Sequence, residues 1–187
     1  MYFILFICIN TSLIGMSSEH VDVFQPKISS EQAIEFQARL NQRQLNPAFG
    51  GMTLKQAVKF QAGLNQALLD AAFDGNVSNV SLALTTGANI NTQSNDNSTA
   101  LILATMNEHF QIVLTLLKFS DININAQDND GWTALHWAVF EQNSNITALL
   151  IKQANLDKSI KDNSGRTAID IARNNKDDDI ISLLSFD

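Results

Sequence analysis

The chain has 187 residues, of which 45% are apolar and 17% are charged, and its formal net charge is −7. This length and composition indicate one domain with a packed core and exclude a disordered chain. Residues 65–187 hold 15 acidic against 7 basic residues, and because such a surface repels phosphate groups, we expect no nucleic-acid partner.

Residues 1–18 form an apolar leader. The first nine residues are almost all apolar, and small and polar residues follow. This length is typical of a secretory signal peptide rather than of a membrane span, which needs about 20 apolar residues, although no Lys or Arg precedes the apolar run. Translation from Met16 and a short membrane anchor remain alternatives. Cleavage favours a secreted or periplasmic protein, a start at Met16 favours the cytoplasm, and membrane contact follows only if the leader is retained.

Cys8, the only cysteine, lies in this leader. A single cysteine excludes a disulfide within the chain and a metal site built from several thiolates.

Residues 19–28 are predicted to be a linker and residues 29–64 a helical hairpin. Residues 32–42 are echoed 24 residues later by residues 56–66. Each copy begins with Gln three residues after a Ser or Thr, which is capping-box spacing, and carries apolar residues at helical intervals. The two helices are separated around Pro47, and we expect the second to continue toward residue 73.

The hairpin has two interpretations. It can cap the apolar flank of the segment that follows, or it can bind a partner through an exposed stripe containing Phe36 and Phe60. The cap is favoured, because an apolar helical stripe usually packs in a core.

From residue 65 onward one motif recurs every 33 or 34 residues. Its clearest copy is Asp128–Ala138, and Thr followed by Ala and Leu or Ile recurs at Thr99, Thr133 and Thr167. Each Thr is placed to cap a helix. The pattern predicts about four copies, at residues 65–97, 98–130, 131–163 and 164–187.

This pattern resembles the ankyrin repeat, whose signature is Thr-Pro-Leu-His-x-Ala. The resemblance implies an all-α, ankyrin-type solenoid of helix-turn-helix repeats with short turn or β-hairpin fingers, here with the N-terminal hairpin as its helical cap. Ala stands in place of the signature Pro in the three Thr-containing copies, His136 alone keeps the signature His, and Asn97 replaces the turn Gly of the second copy.

The second helix of each copy is predicted to supply buried aliphatic side chains. Neighbouring repeats bury these side chains against each other. The predicted core positions are Val80, Leu82, Leu84, Ile112, Val113, Leu116, Leu117, Ile146, Leu149, Leu150, Ile151, Ile180, Ile181, Leu183 and Leu184.

The sequence predicts no catalytic, cofactor or metal site. Aligning Gly131 with the sixth position of a calcium loop puts Ala126 and Trp137 where carboxylates are required. The histidines are far apart in sequence, and no phosphate-binding or nucleophile motif is present. His136 is therefore interpreted as a structural histidine that bonds repeat backbone, and the protein as a non-enzyme.

The resemblance implies a protein-interaction scaffold whose concave face consists of turn tips and first helices. Trp132 is the preferred anchor, because exposed aromatic residues beside polar groups are typical of interfaces. Trp137 is equally consistent with packing. The predicted contact residues are Asn95, Asp96, Ser98, Met106, Asn107, Asn129, Asp130, Trp132, Phe140, Glu141, Asn163, Ser164 and Arg166.

We expect the partner to be a protein of basic or mixed charge, and no small-molecule substrate. An alternative function is that of a secreted or membrane-tethered effector or accessory subunit that modulates a partner enzyme.

Overall fold

The computed structural model describes residues 53–185, which lie within one unit, Asn46–Asp187. These residues form eight helices in four consecutive pairs, and the predicted all-α architecture is confirmed. The helices are α1 (Leu54–Phe73), α2 (Val77–Thr86), α3 (Ala100–Met106), α4 (Phe110–Leu116), α5 (Ala134–Phe140), α6 (Ser144–Ile151), α7 (Ala168–Asn175) and α8 (Asp178–Ser185). In this part of the chain the extended structure is limited to one isolated antiparallel bridge between Gln93 and Thr99.

Helix α1 begins at the predicted capping box. The backbone N–H of Thr53 donates to the Gln56 side chain over 2.8 Å, and the Gln56 N–H donates to the Thr53 hydroxyl over 3.3 Å. The helix then runs for 20 residues without a break, so the predicted boundary between residues 64 and 65 lies inside it. The leader, the linker and the first hairpin helix lie outside the described residues, and those assignments remain predictions.

The first helix of each later pair, α3, α5 or α7, begins after the predicted Thr. Thr99, Thr133 and Thr167 occupy the N-cap positions with extended backbone. The Thr99 hydroxyl accepts from the Ile102 N–H over 3.3 Å. Because a cap satisfies backbone donors that the first turn leaves unpaired, the helix starts are fixed without the signature Pro.

The core lies where first and second helices meet and where neighbouring pairs stack. Buried residues from the predicted set are Val80, Ile112, Val113, Leu116, Ile146, Leu150, Ile180 and Leu184. Partly buried members of the set that pack against them are Leu84, Leu117, Leu149, Ile151 and Ile181, and Leu183 is half-buried.

The prediction that Leu82 belongs to this core is wrong, because its side chain is 63% exposed. Helix α2 buries Val80 and Ala83 instead. Since successive residues are about 100° apart around a helix, Leu82 lies on the side opposite Val80.

Asparagine side chains join the loops that follow the second helices. The Asn91 amide accepts from the Asn123 N–H over 2.7 Å and donates to the Asp121 carbonyl over 2.7 Å. The Asn125 amide makes the same two bonds one repeat later, accepting from the Asp157 N–H over 2.9 Å and donating to the Asn155 carbonyl over 2.8 Å. Each amide thus bridges two repeats.

At the start of this series, two side chains of α1 take the corresponding place. The Asn65 side chain accepts from the Asn89 N–H over 2.9 Å, and the Gln61 amide donates to the Gly87 carbonyl over 2.9 Å. Helix α1 therefore satisfies backbone groups that a preceding repeat loop would otherwise satisfy.

Candidate protein-interaction surface

Three five-residue turns, here called fingers, precede α3, α5 and α7. They comprise residues 94–98, 128–132 and 162–166, and in each the first N–H donates to the fifth carbonyl over 2.8–3.0 Å. The fourth residue has a positive φ in every finger: 61° at Asn97, 77° at Gly131 and 79° at Gly165. Asn97 adopts the left-handed conformation of the glycine it replaces, which Asn tolerates better than most residues.

Adjacent fingers are hydrogen-bonded to each other. The Asn129 N–H donates to the Asp96 carbonyl over 2.9 Å, and the Asn163 N–H donates to the Asp130 carbonyl over 3.1 Å. At Gly131 a Cβ atom would lie 2.7 Å from the Asn163 side-chain oxygen, so this contact also requires glycine. The three fingers consequently form one connected surface.

Aspartate at the first position organises the second and third fingers. One Asp128 oxygen accepts from the Trp132 N–H over 2.8 Å, and the other accepts from the Trp137 indole N–H over 2.8 Å. Asp162 accepts from the Arg166 N–H over 2.8 Å and pairs with the Arg166 guanidinium over 2.8 Å. The Asp128 carboxylate therefore joins the second finger to the Trp137 side chain of α5, and the Asp162 carboxylate holds the Arg166 side chain against the third finger.

Burial acts to raise the pKa of Asp162, but hydrogen bonds from the backbone and side chain of Arg166 and from the Ser164 backbone hold that pKa below its ordinary value. The carboxylate is thus kept charged next to Arg166.

Three aromatic side chains, Trp132, Trp137 and Phe140, pack together between the second finger and α5; we call them the aromatic cluster. The Trp132 ring centroid lies 4.7 Å from that of Trp137 and 5.1 Å from that of Phe140. The Trp137–Phe140 pair is perpendicular at 6.1 Å. These distances and tilts are favourable for aromatic pairs.

The Arg166 guanidinium of the third finger covers one side of this cluster, with its carbon 5.9 Å from the Trp132 ring centroid, a cation–π distance. Trp132 and Trp137 are partly buried against the core, whereas Phe140 is 47% exposed. The cluster therefore presents an exposed aromatic side chain on an anchored apolar base.

His136 lies beneath the cluster and is 1% exposed. One ring nitrogen is 2.8 Å from the Thr133 hydroxyl, and the other is 3.3 Å from the Arg166 carbonyl oxygen. Burial lowers the pKa of His136, partly opposed by the Arg166 carbonyl and by the charges of Asp162 and Asp128. Its contacts join α5 to the next finger, which confirms the prediction of a structural histidine.

The predicted contact residues separate into three groups by position. Exposed at the fingers are Asn95, Asp96, Asn129, Asp130, Asn163 and Ser164; half-buried at the fingers are Trp132 and Arg166; and on the first helices or directly after them are Met106, Asn107, Phe140 and Glu141, of which only Phe140 is exposed. We call this surface the finger face; it consists of the exposed finger residues, the aromatic cluster and Arg166.

Ser98 does not belong to this accessible set. It is 3% exposed, and its hydroxyl donates to the Asp96 carboxylate over 3.0 Å. A buried hydroxyl engaged within its own finger cannot contact a partner directly, so Ser98 is a finger-stabilising residue and is removed from the predicted contacts.

The role of Asp128 is not evident from the repeat pattern of the sequence. The pattern also leaves open whether Trp137 belongs to the site, and the structure places that side chain in the cluster. The nine-residue spacing from Asp128 to Trp137 is the only sequence feature that relates the two residues. It does not predict the hydrogen bond between them, because that bond depends on how the second finger folds back onto α5.

Between residues 53 and 185, no group of three His, Cys, Asp or Glu residues has the placement to hold a metal ion. In the same range no helix is sufficiently long and apolar to span a bilayer.

Stacked pairs of helices joined by hydrogen-bonded fingers define a helical repeat protein. A sequence model of the family described as ankyrin repeats matches in three copies, at residues 52–128, 68–162 and 123–187. Because these matches cover more than half of the chain, it belongs to the ankyrin repeat family. A search of curated proteins gives no match. Ankyrin repeat proteins are in general non-enzymatic modules that bind other proteins.

Proposed function

We propose that this chain is a scaffold that binds a partner protein through its finger face, with Phe140 and Trp132 as the central anchors. The observation that carries the proposal is the aromatic cluster: an exposed Phe140 supported by two partly buried tryptophans. Aromatic side chains on such supports are typical of the few residues that supply most of the binding free energy at an interface.

The support for these anchors favours binding for a second reason. Hydrogen bonds connect the three fingers, and Asp128 fixes both Trp132 and Trp137. Binding to a surface that is already ordered costs less conformational entropy than ordering loops on contact. A small number of anchors is therefore sufficient for affinity.

The alternative function makes this chain a secreted or membrane-tethered effector or accessory subunit and its partner an enzyme that it modulates. This alternative remains a prediction, because it rests on the leader, residues 1–18, which lies outside the described range.

The test compares Phe140→Ala with Phe110→Ala in the full-length chain. Phe110 is a matched control, because it is also a partly exposed helical phenylalanine, at 37%, but lies at the start of α4 rather than in the aromatic cluster. Partners are captured from an extract of the source cells and then titrated individually. We expect Phe140→Ala to weaken binding by at least about 2 kcal/mol, or roughly 30-fold, and Phe110→Ala to leave it nearly unchanged.

Both variants are checked by circular dichroism and thermal unfolding. If folded Phe140→Ala protein bound every captured partner as tightly as the parent chain, the finger face would not be the binding surface.

A further inference from the structure

We infer that the occupant of the finger face is a basic segment of the partner protein, which places a Lys or Arg side chain beside the carboxylates of Asp96 and Asp130 and an apolar side chain against Phe140. This inference rests on the proposed function and adds the chemistry of the partner.

The charge distribution is the first support. Residues 60–151, which include the first two fingers and the aromatic cluster, contain eight acidic residues and a single basic one, Lys118. Six of the remaining basic residues lie between positions 152 and 176. The net negative charge is therefore concentrated in the part of the chain that carries the anchors.

The position of two carboxylates is the second support. Asp96 and Asp130 are both exposed and occupy the same place in adjacent fingers, which are joined by the bond from the Asn129 N–H to the Asp96 carbonyl. Hydroxyls of Ser94 and Ser98 donate to the Asp96 carboxylate. These bonds orient an exposed negative charge in the finger adjacent to that of Trp132 before any partner arrives.

The guanidinium of the third finger does not neutralise this charge. Arg166 is paired with Asp162 over 2.8 Å, and it lies over the Trp132 ring at 5.9 Å. The pairing leaves Asp96 and Asp130 available to a cation from outside. The Trp132 contact also illustrates that a guanidinium packs well on this aromatic surface.

Charge decides between possible occupants. A second copy of the chain carries a net charge of −7 and would meet like charge, and an acidic partner would meet the same repulsion. A basic segment gains both the electrostatic attraction and the burial of Phe140, so it is the occupant that the surface favours.

The experiment uses a phage-displayed random dodecapeptide library as the probe and the immobilised full-length chain as the target. We expect enriched peptides to contain Lys or Arg together with an aromatic or large aliphatic residue, relative to the input library. The best peptide is then synthesised and titrated against two double variants and one single variant, at low salt and again at high salt.

Replacement of both finger carboxylates, Asp96→Asn with Asp130→Asn, should weaken the peptide by about two- to tenfold, less at high salt. The control, Asp74→Asn with Asp121→Asn, removes the same charge away from the finger face and should have little effect. The single variant Asp130→Asn is titrated as well, because it removes one carboxylate and leaves the hydrogen bonds of Asp96 within the first finger intact. Phe140→Ala should abolish the enrichment.

Other outcomes would contradict the inference alone or the inference together with the proposed function. Enriched peptides that are acidic or uncharged but still require Phe140 would overturn the basic-segment inference and leave the proposed function standing. A basic peptide weakened equally by the control pair would also overturn the inference. Enrichment that is independent of Phe140, or no enrichment at all, would contradict both.

Discussion

Single carboxylates and one histidine determine how the finger face is held. Asp128 bonds the Trp132 backbone and the Trp137 indole, and His136 joins the Thr133 hydroxyl to the carbonyl of Arg166 in the next finger. The side chains of Asp128 and His136 do not need to touch a partner. They order the aromatic cluster by satisfying polar groups that the fold brings together.

His136 gives the protein a predictable dependence on pH. Its pKa in the folded chain lies below the ordinary 6.5 because of burial, so the unfolded chain binds the proton more readily. Its contribution to stability is therefore present above about pH 6.5 and is lost as the pH falls toward the folded-state pKa. Urea unfolding at pH 8 and pH 5 should give a lower free energy of unfolding at pH 5.

His136→Gln is the comparison for this prediction, because it lacks a group that titrates in this window. Aspartates with lowered pKa, such as Asp96 and Asp162, lose their charge only in more acidic solution. Equal pH dependence of the parent and His136→Gln chains between pH 8 and pH 5 would refute the assignment.

Some residue positions could be predicted and others could not. Thr caps and His136 follow from local spacing, and Asn97 follows from the turn position it occupies. Ser98 was predicted to be accessible because it aligns with Trp132 and Arg166, but a small side chain at that position folds into its own finger. Periodicity locates a residue within a repeat; side-chain size and neighbouring contacts decide whether it is exposed.

At the scale of elements, stacking depends on contacts that recur once per repeat. The loop asparagines bond backbone groups of the following repeat, and Gln61 and Asn65 of α1 make the corresponding bonds at the N-terminal side. These contacts favour the predicted capping role of the hairpin, whose second helix is the first part of α1. The boundary predicted between residues 64 and 65 does not coincide with a break in the fold, since α1 and its helical pattern of apolar residues continue through it.

Asn125 provides a test of these inter-repeat bonds. Asn125→Ala removes the acceptor for the Asp157 N–H and the donor for the Asn155 carbonyl. We expect a loss of about 1 kcal/mol in the free energy of unfolding, because water can replace part of the bonding at exposed loops. Urea unfolding monitored by circular dichroism measures it.

Asn174→Ala serves as its control, since Asn174 is an exposed residue of α7 and should change stability by no more than about 0.5 kcal/mol. A loss for Asn125→Ala no larger than that of Asn174→Ala would mean that the loop amides do not stabilise the stack.

At the scale of the whole described unit, fold and proposed function use the same contacts. Repeats share buried aliphatic side chains, the fingers bond to one another, and acidic charge is concentrated where the aromatic cluster lies. The family and the helix order were predictable from period and capping signals. The aromatic cluster with Arg166 over it was not fully predictable, because Trp132, Phe140 and Arg166 come together only when two successive fingers and α5 are in place.

The most direct measurement uses the tryptophans themselves. The chain has two, Trp132 and Trp137, and both belong to the aromatic cluster. The full-length chain labelled with 5-fluorotryptophan therefore gives two fluorine resonances, which are followed by NMR while a partner recovered in Phe140-dependent capture is added. We predict that both resonances shift as the complex forms, and that Phe140→Ala requires on the order of 30-fold more partner for the same change. Formation of the complex in sedimentation, with both resonances unchanged, would contradict binding at the finger face.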